Sequence, residues 1–278
     1  MREIVYLNGE FLPKEEAKIS PNDRGFIFAD GVYEVAKYYN GKPFRYNDHI
    51  ERLKRSLAEL SIDFKDIEGL EGIFEKLLSE NGMDNIHAGI YVQITRGTHK
   101  RIHNFPAHII PTIYAYAFEL PSFTDKLENG IKVITMEDIR WQRCDIKSVS
   151  LLPNSMLYNN AIENGAEETV LIRDGFVSEA THSSVLAVKN GTVITRPLSN
   201  LILPGITRKV ILEICEENGI AIEERLFTEK ELYEMDELII AGTGSEVTPV
   251  VQINDKVIGN KKPGEITRFI QKKFFEMV

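Results

Sequence analysis

The sequence predicts an α+β fold in two domains, on three observations. Short runs alternating apolar and polar residues interchange with segments of helical periodicity along the whole chain. A polar stretch over 121–130 interrupts that pattern near the middle. The length, 278 residues, suffices for one large core or two smaller ones. The expected division is a small N-terminal domain over 1–120, a linker over 121–130 and a larger C-terminal domain over 131–278.

Residues 3–19 read as a hairpin with Asn8-Gly9 at its tip, since both residues tolerate the positive φ of a tight turn. Tyr33, Val35 and Lys37 alternate and share one face of a strand. A helix over 48–60 follows from Asp48 as a cap and from Ile50, Leu53, Leu57 and Leu60 at helical spacing. A second helix is expected over 70–80, then strands over 88–96 and 109–118, with 96–106 holding a loop. Beyond the linker, 131–135 is a strand and 153–165 a helix stopped by Gly165. Asp174-Gly175 and Asn190-Gly191 mark tight turns between strands. Gly205-Ile206-Thr207 opens a helix reaching Asn218-Gly219, with Val210, Ile211 and Ile214 on its apolar face. A short helix over 228–235, a strand over 237–241, a hairpin turning at Asn254-Asp255 and a closing helix over 263–277 complete the chain.

Composition narrows the function. A net charge of −9 disfavours a nucleic-acid partner. The 43% hydrophobic and 27% charged residues are ordinary for a soluble enzyme. No apolar window is long enough to cross a bilayer, and the N-terminus lacks a signal-peptide core. Two cysteines, Cys144 and Cys215, make no disulfide framework and suit reduced thiols in a cytoplasmic protein. The six histidines show no metal-ligand spacing, so no metal is expected.

Two groups suggest a chemistry. Lys147 lies in Arg143-Cys144-Asp145-Ile146-Lys147-Ser148, and Glu179 follows in Val177-Ser178-Glu179-Ala180-Thr181. A lysine amine forms a Schiff base with an aldehyde, and a carboxylate holds a pyridine nitrogen protonated. Pyridoxal 5'-phosphate (PLP) asks a protein for those two groups. Other segments can be read in two ways. Gly205-Ile206-Thr207 is either an ordinary helix start or a phosphate cradle of free N–H groups. Ala241-Gly242-Thr243-Gly244-Ser245-Glu246 is a simple loop or a second set of donors. Tyr33 belongs to an amphipathic strand or donates to a carboxylate. Arg101 and His103 are solvated loop charges or a carboxylate clamp.

Taken together, Asp23-Arg24-Gly25, Asp30-Gly31-Val32-Tyr33-Glu34-Val35, His49-Ile50-Glu51-Arg52-Leu53, Arg96-Gly97-Thr98, Asp138-Ile139-Arg140-Trp141, the Lys147 segment, Gly205-Ile206-Thr207-Arg208 and Ser245-Glu246-Val247-Thr248-Pro249-Val250 occur in order over almost the whole chain. They resemble the fold-type IV family of PLP enzymes, and within it the D-amino acid aminotransferase group. That resemblance implies two α+β domains, the larger C-terminal one built around a β-barrel-like sheet, with PLP between them. It implies Lys147 as the catalytic, cofactor-bearing lysine and Glu179 as the partner of the pyridine nitrogen. Arg52, Ile206, Thr207 and Thr243 become phosphate ligands. Tyr33, Arg101 and His103 match a trap for the substrate carboxylate, whose arginine and histidine come from the neighbouring subunit, so a homodimer is implied. The reaction implied is ping-pong transfer of an amino group from D-amino acids such as D-alanine to 2-oxo acids such as 2-oxoglutarate.

The chain departs from the family pattern in places. Ala180-Thr181-His182-Ser183-Ser184-Val185 puts a bulky His182 where a small hydroxyl is usual, and Pro204 stands where close relatives carry lysine. The Tyr-Phe-Glu-Gly signature of branched-chain L-aminotransferases is absent. The other readings are an aminodeoxychorismate lyase, a branched-chain or (R)-amine transaminase, and a non-catalytic PLP-binding module.

Overall fold

A computed structural model describes residues 3–121 and 123–278; Met1, Arg2 and, in the expected linker, Ser122 lie outside them. The chain forms two compact units, one of residues 1–121 and 146–150, the other of 122–145 and 151–278. The polar stretch at 121–130 is therefore not simply a linker: residues 124–129 are helical. The short excursion of 146–150 into the first unit was not foreseen.

In the first unit the elements run β1 (Ile4–Leu7), β2 (Glu10–Pro13), α1 (Arg24–Phe28), β3 (Gly31–Tyr39), β4 (Lys42–Pro43), α2 (Tyr46–Glu59), α3 (Leu70–Glu80), β5 (Ala88–Thr95) and β6 (Thr112–Glu119). The strands form one antiparallel sheet in the order β2-β1-β6-β5-β3-β4. The first hairpin does turn at Asn8-Gly9, both at positive φ, but it ends at Pro13 and not at residue 19. The strand expected from 109 starts at Thr112, directly after Pro111, which has no N–H to give a ladder. Helix α2 starts before Asp48: Arg45 takes the N-cap position in the left-handed region, without a side-chain cap. Asp48 sits in the first turn, where its charge meets the positive end of the helix and lies 3.6 Å from Arg45.

The core of this unit lies between α2, α3 and one sheet face. Ile50, Leu53 and Leu57 of α2 and Phe74 and Leu77 of α3 pack with Val32, Ile90, Val92, Ile94 and Ala115. Each fully buried leucine or isoleucine here contributes about 2–3 kcal/mol of apolar transfer. The opposite face carries Tyr33, Tyr91, Tyr114 and Tyr116, all half-buried.

The second unit runs α4 (Thr124–Asn129), β7 (Ile131–Glu137), α5 (Leu152–Glu163), β8 (Glu168–Arg173), β9 (Phe176–Ala180), β10 (Ser184–Lys189), β11 (Thr192–Thr195), α6 (Ile206–Glu217), β12 (Ile222–Glu224), α7 (Glu229–Leu232), β13 (Glu237–Gly242), β14 (Glu246–Ile253), β15 (Lys256–Val257) and α8 (Glu265–Phe275). Its strands follow the order β12-β11-β10-β13-β14-β7-β8-β9, with β15 on β14. The β7–β8 and β11–β12 pairs are parallel, and each is joined through a helix, as parallel neighbours require. The sheet curls into an open barrel: Arg196, just after β11, donates to Val177 O of β9, although the two strands lie near opposite ends of the order. Inside are Val133, Val170, Val177, Ala187, Ile194, Phe227, Leu238, Ile240 and Ile253. The turns at Asp174-Gly175, Asn190-Gly191 and Asn254-Asp255 fall where the sequence puts them, with Asp174, Asn190 and Asn254 at positive φ.

No helix among the described residues is long and apolar enough to cross a membrane.

Candidate active site

In the first unit, 146–150 lies along the start of β3. The Tyr33 amide donates to Lys147 O at 3.0 Å and the Val149 amide to Gly31 O at 3.1 Å. From α2, Ser56 Oγ accepts the Lys147 amide at 3.2 Å. With its backbone fixed on both sides, the half-buried Lys147 places Nζ 4.3 Å from the centre of the Tyr33 ring.

Helix α2 carries a second stripe beside its apolar one. His49, Arg52 and Ser56, at i, i+3 and i+7, are polar yet buried. They meet Glu34, whose side chain β3 sends to the same side as its core residues. Arg52 donates to Glu34 through Nε at 2.9 Å and Nη2 at 2.6 Å, and His49 Nδ1 lies 3.0 Å from the same carboxylate. Burial alone would raise the Glu34 pKa. Arg52 and His49 outweigh it and hold the carboxyl well below the usual range. Arg52 is thus fixed by a buried ion pair.

Tyr33 stacks on Tyr91 with centroids 5.6 Å apart, and Tyr91 stacks on Tyr116 at 5.2 Å. Burial, then the neighbouring phenols, push the Tyr91 pKa up, so it stays a donor, here to Gln93 Oε1 at 2.7 Å. Arg101 and His103 meet the same ring: Arg101 lies 5.2 Å and His103 5.4 Å from the centre of Phe28. Arg24 fixes the loop between them by donating to Ile102 O at 2.7 Å. Among the described residues, no hydrogen bond or ring contact ties Arg101 or His103 to Tyr33.

In the second unit, Glu179 ends a chain of buried charges. One oxygen is ion-paired with Arg140, and the other accepts the Leu203 amide at 3.1 Å. Arg140 turns its Nε and Nη2 to Asp138 at 2.9 and 2.8 Å, and Asp138 also accepts from Ser178 Oγ at 2.9 Å and meets Arg173 at 3.0 Å. Burial pushes the Glu179 pKa up, against the pull of Arg140. Asp138 goes the other way: burial would raise it, but Arg140 and Arg173 bring it to about 2. Cys144 nearby is raised by burial to about 11, so it is an inert thiol. The part played by Arg140 and Asp138 was missed from sequence, although Asp138-Ile139-Arg140 stands out as two opposite charges following an apolar strand.

Two residues after Leu203 comes the start of α6. Gly205 is its N-cap, extended and without a side-chain cap, so the first N–H groups carry no local acceptor from that residue. Ile206 and Thr207 are buried there. A Cβ on Gly205 would come within 2.5 Å of Ser184 Oγ. A Cβ on Gly242 would come within 2.9 Å of Ser245 Oγ and 3.2 Å of Ser183 Oγ. Short hydroxyls thus lie beside both glycines, Thr243 next to Gly242 is half-buried, and the uncapped start of α6 carries the positive end of its dipole, as an anion cradle requires. Of the residues expected from sequence, the structure groups Lys147, Tyr33 and Arg52 in the first unit, and Glu179, Ile206, Thr207 and Thr243 in the second. Among the described residues, no group of His, Cys, Asp and Glu is arranged to hold a metal ion.

Residues 31–253 match the model of the family described as amino-transferase class IV. The chain is 43% identical over 272 residues to the D-alanine aminotransferase of Staphylococcus haemolyticus, covering 97% of this chain and 96% of that one. It is 41% identical over 268 residues to the D-alanine aminotransferase of Bacillus licheniformis, covering 96% and 94%. Among solved structures, the branched-chain amino acid aminotransferase of Escherichia coli superimposes with a TM-score of 0.93 at 26% identity, covering 99% of this chain and 94% of that one.

Proposed function

This chain belongs to the class IV amino-transferase family, and on that premise we propose that it is a PLP-dependent transaminase moving the amino group of D-amino acids such as D-alanine to 2-oxo acids such as 2-oxoglutarate. One observation carries the reading most directly. Glu179 is buried with one oxygen on Arg140 and the other on Leu203 N, two residues from the bare start of α6. A partner for a ring nitrogen and a cradle for a phosphate are thereby built as one piece, which suits PLP. The residues pass a test of fit: a Cβ on Gly205 would come within 2.5 Å of Ser184 Oγ and one on Gly242 within 2.9 Å of Ser245 Oγ, so a larger residue at either place would crowd the hydroxyls of the cradle. The 41–43% identity to proteins named D-alanine aminotransferases, against 26% to a branched-chain enzyme, supports the D-amino acid reading.

When bound, PLP supplies an electron sink for the charge that develops at the substrate Cα. The protein does the rest. Lys147 holds the cofactor and, as a free amine at Nζ, takes the Cα proton and returns it. Glu179 keeps a proton on the ring nitrogen, steadied by Arg140. Arg52, Ile206, Thr207 and Thr243 bind the phosphate. Tyr33 and the pair Arg101 and His103 hold the substrate carboxylate. As the family resemblance implies, each trap is completed by the loop of a second copy in a homodimer, and the placement of Arg101 and His103 against Phe28 rather than Tyr33 is in keeping with this. Exposed Leu152, Met156 and Ile162 on α5 are in keeping with a partner surface. The two free, buried cysteines fit a cytoplasmic location.

The test is the visible absorbance of the protein loaded with PLP and its change on adding D-alanine, L-leucine or an (R)-amine. The expected result is an absorbing holoenzyme that reacts fastest with D-alanine. Absence of a PLP band after reconstitution would overturn the cofactor, and faster reaction with L-leucine would overturn the handedness.

A further inference from the structure

His182 is the residue that breaks the small-hydroxyl pattern after Glu179, and the structure shows what it touches. Its side chain is 57% exposed, yet Nδ1 lies 2.9 Å from Glu168 Oε2, on a carboxylate only 2% exposed. The same nitrogen is 2.9 Å from Thr181 Oγ1, and the ring meets Tyr158 edge-on at 5.1 Å. The other oxygen of Glu168 is well supplied: it accepts the Thr169 amide at 2.8 Å, the Thr181 amide at 3.1 Å and the Thr181 hydroxyl. Oε2 accepts no hydrogen bond of good geometry among the described residues, and the imidazole is the group that faces it. Burial would raise the Glu168 pKa, but His182 and Thr181 bring it below the ordinary value.

A buried carboxylate whose second oxygen faces an imidazole at the surface is an anchor. Leaving Glu168 without it would strand a charge in the interior. The anchored segment is the one that lines the cradle. Immediately after His182, Ser183 Oγ lies 3.1 Å from Ser245 Oγ and Ser184 Oγ lies 2.5 Å from the Cβ position of Gly205. The carbonyl of His182 itself lies 3.5 Å from the Cβ position of Gly242. Asn154 of α5 holds the far side of the same segment by donating to Thr181 O at 2.6 Å.

We propose that His182 is a positioning residue for cofactor retention: clamped to Glu168, it sets the 181–184 segment so that the Ser183 and Ser184 hydroxyls face a bound phosphate. This rests on the reading of that cradle as the PLP phosphate site. It accounts for the bulky residue in a place where a small hydroxyl would suffice for direct contact. The role is indirect, since the imidazole acts through the two serines that follow it.

The test is a double-mutant cycle read as equilibrium affinity of the apoprotein, with PLP and with pyridoxal, which lacks the phosphate. His182→Ala and Glu168→Gln should each weaken PLP about tenfold, the scale of one charge-assisted contact. The double variant should be no weaker than either single one, because both remove one interaction. Pyridoxal should change less than about twofold in all three, since it makes no demand on the cradle. His182→Ser, a change at an exposed side chain, gives a second reading if Glu168→Gln does not fold. Equal weakening of PLP and pyridoxal, additive losses in the double variant, or unchanged PLP affinity in His182→Ala would each overturn the proposal. A wild type that takes up no PLP would instead overturn the cofactor assignment itself.

Discussion

The two units present their candidate site residues in different materials. The first offers the ends of long side chains, Lys147, Arg52 and Tyr33, each directed by a neighbour. The second offers backbone N–H groups and short hydroxyls around Gly205 and Gly242, plus one carboxylate, Glu179, in a chain of buried charges. Long side chains lose rotamer freedom when they are ordered, so the first unit spends buried ion pairs such as Arg52–Glu34 on holding them. A helix start is already ordered and needs only to be left uncovered. Substitutions in the first unit should therefore remove chemistry or strand a charge. Those in the cradle should act by adding bulk.

The largest contrast is expected at Lys147. Lys147→Ala should lose the visible band and lower the half-reaction rate with D-alanine by about four decades, the upper range for a positioned general base. A rate near wild type would remove Lys147 from the chemistry. Next comes Glu34. Glu34→Gln leaves Arg52 a buried cation without its carboxylate and should cost about 3–5 kcal/mol of stability near neutral pH, read by denaturant unfolding. The sign in acid follows from a folded pKa held below 4.5. The contribution of Glu34 is present above that value and is lost as pH falls towards the folded one, so the variant should show a shallower acid decline than wild type. Parallel declines would mean that other carboxylates govern acid stability.

Arg101→Ala should cost about 2–4 kcal/mol of transition-state binding for D-alanine, two to three decades in kcat/KM, and much less for an (R)-amine without a carboxylate. Equal losses for both donors would make Arg101 structural. The smallest effect belongs to the cradle. Gly205→Ala should weaken PLP about tenfold, because the new methyl group pushes Ser184 Oγ into the anion space. Unchanged affinity would show that the cradle has slack.

Much of this was legible in the sequence because local rules decided it. Helix α3 falls on 70–80 because its apolar spacing is uninterrupted, and the Asn-Gly and Asp-Gly turns fall where such residues adopt positive φ at least cost. Lys147 and Glu179 stand out in the sequence through their motifs, not through spacing. What escaped was set by distant partners. Asp48 looks like a cap, but the chain enters α2 one residue ahead of Tyr46, so the acid lands inside the first turn. The Arg140 pairing depends on β9 returning beside residue 140, and the Glu168–His182 contact joins a strand start to a bend after the next strand. No periodicity reports contacts of that kind.

The route of the chain through residues 146–150 bears on how the protein is made. The first unit has its sheet and both long helices by residue 121, but the segment carrying Lys147 belongs to it only after 122–145 have been synthesised. At about 5–20 residues per second, that segment leaves the ribosome seconds after the strands it must join. A nascent first unit therefore waits with the start of β3 and Ser56 of α2 still lacking their bonds to Lys147 and Val149. The segment bearing Lys147 is the last piece of its own unit to arrive, and truncation at the end of β6 yields a sheet without it.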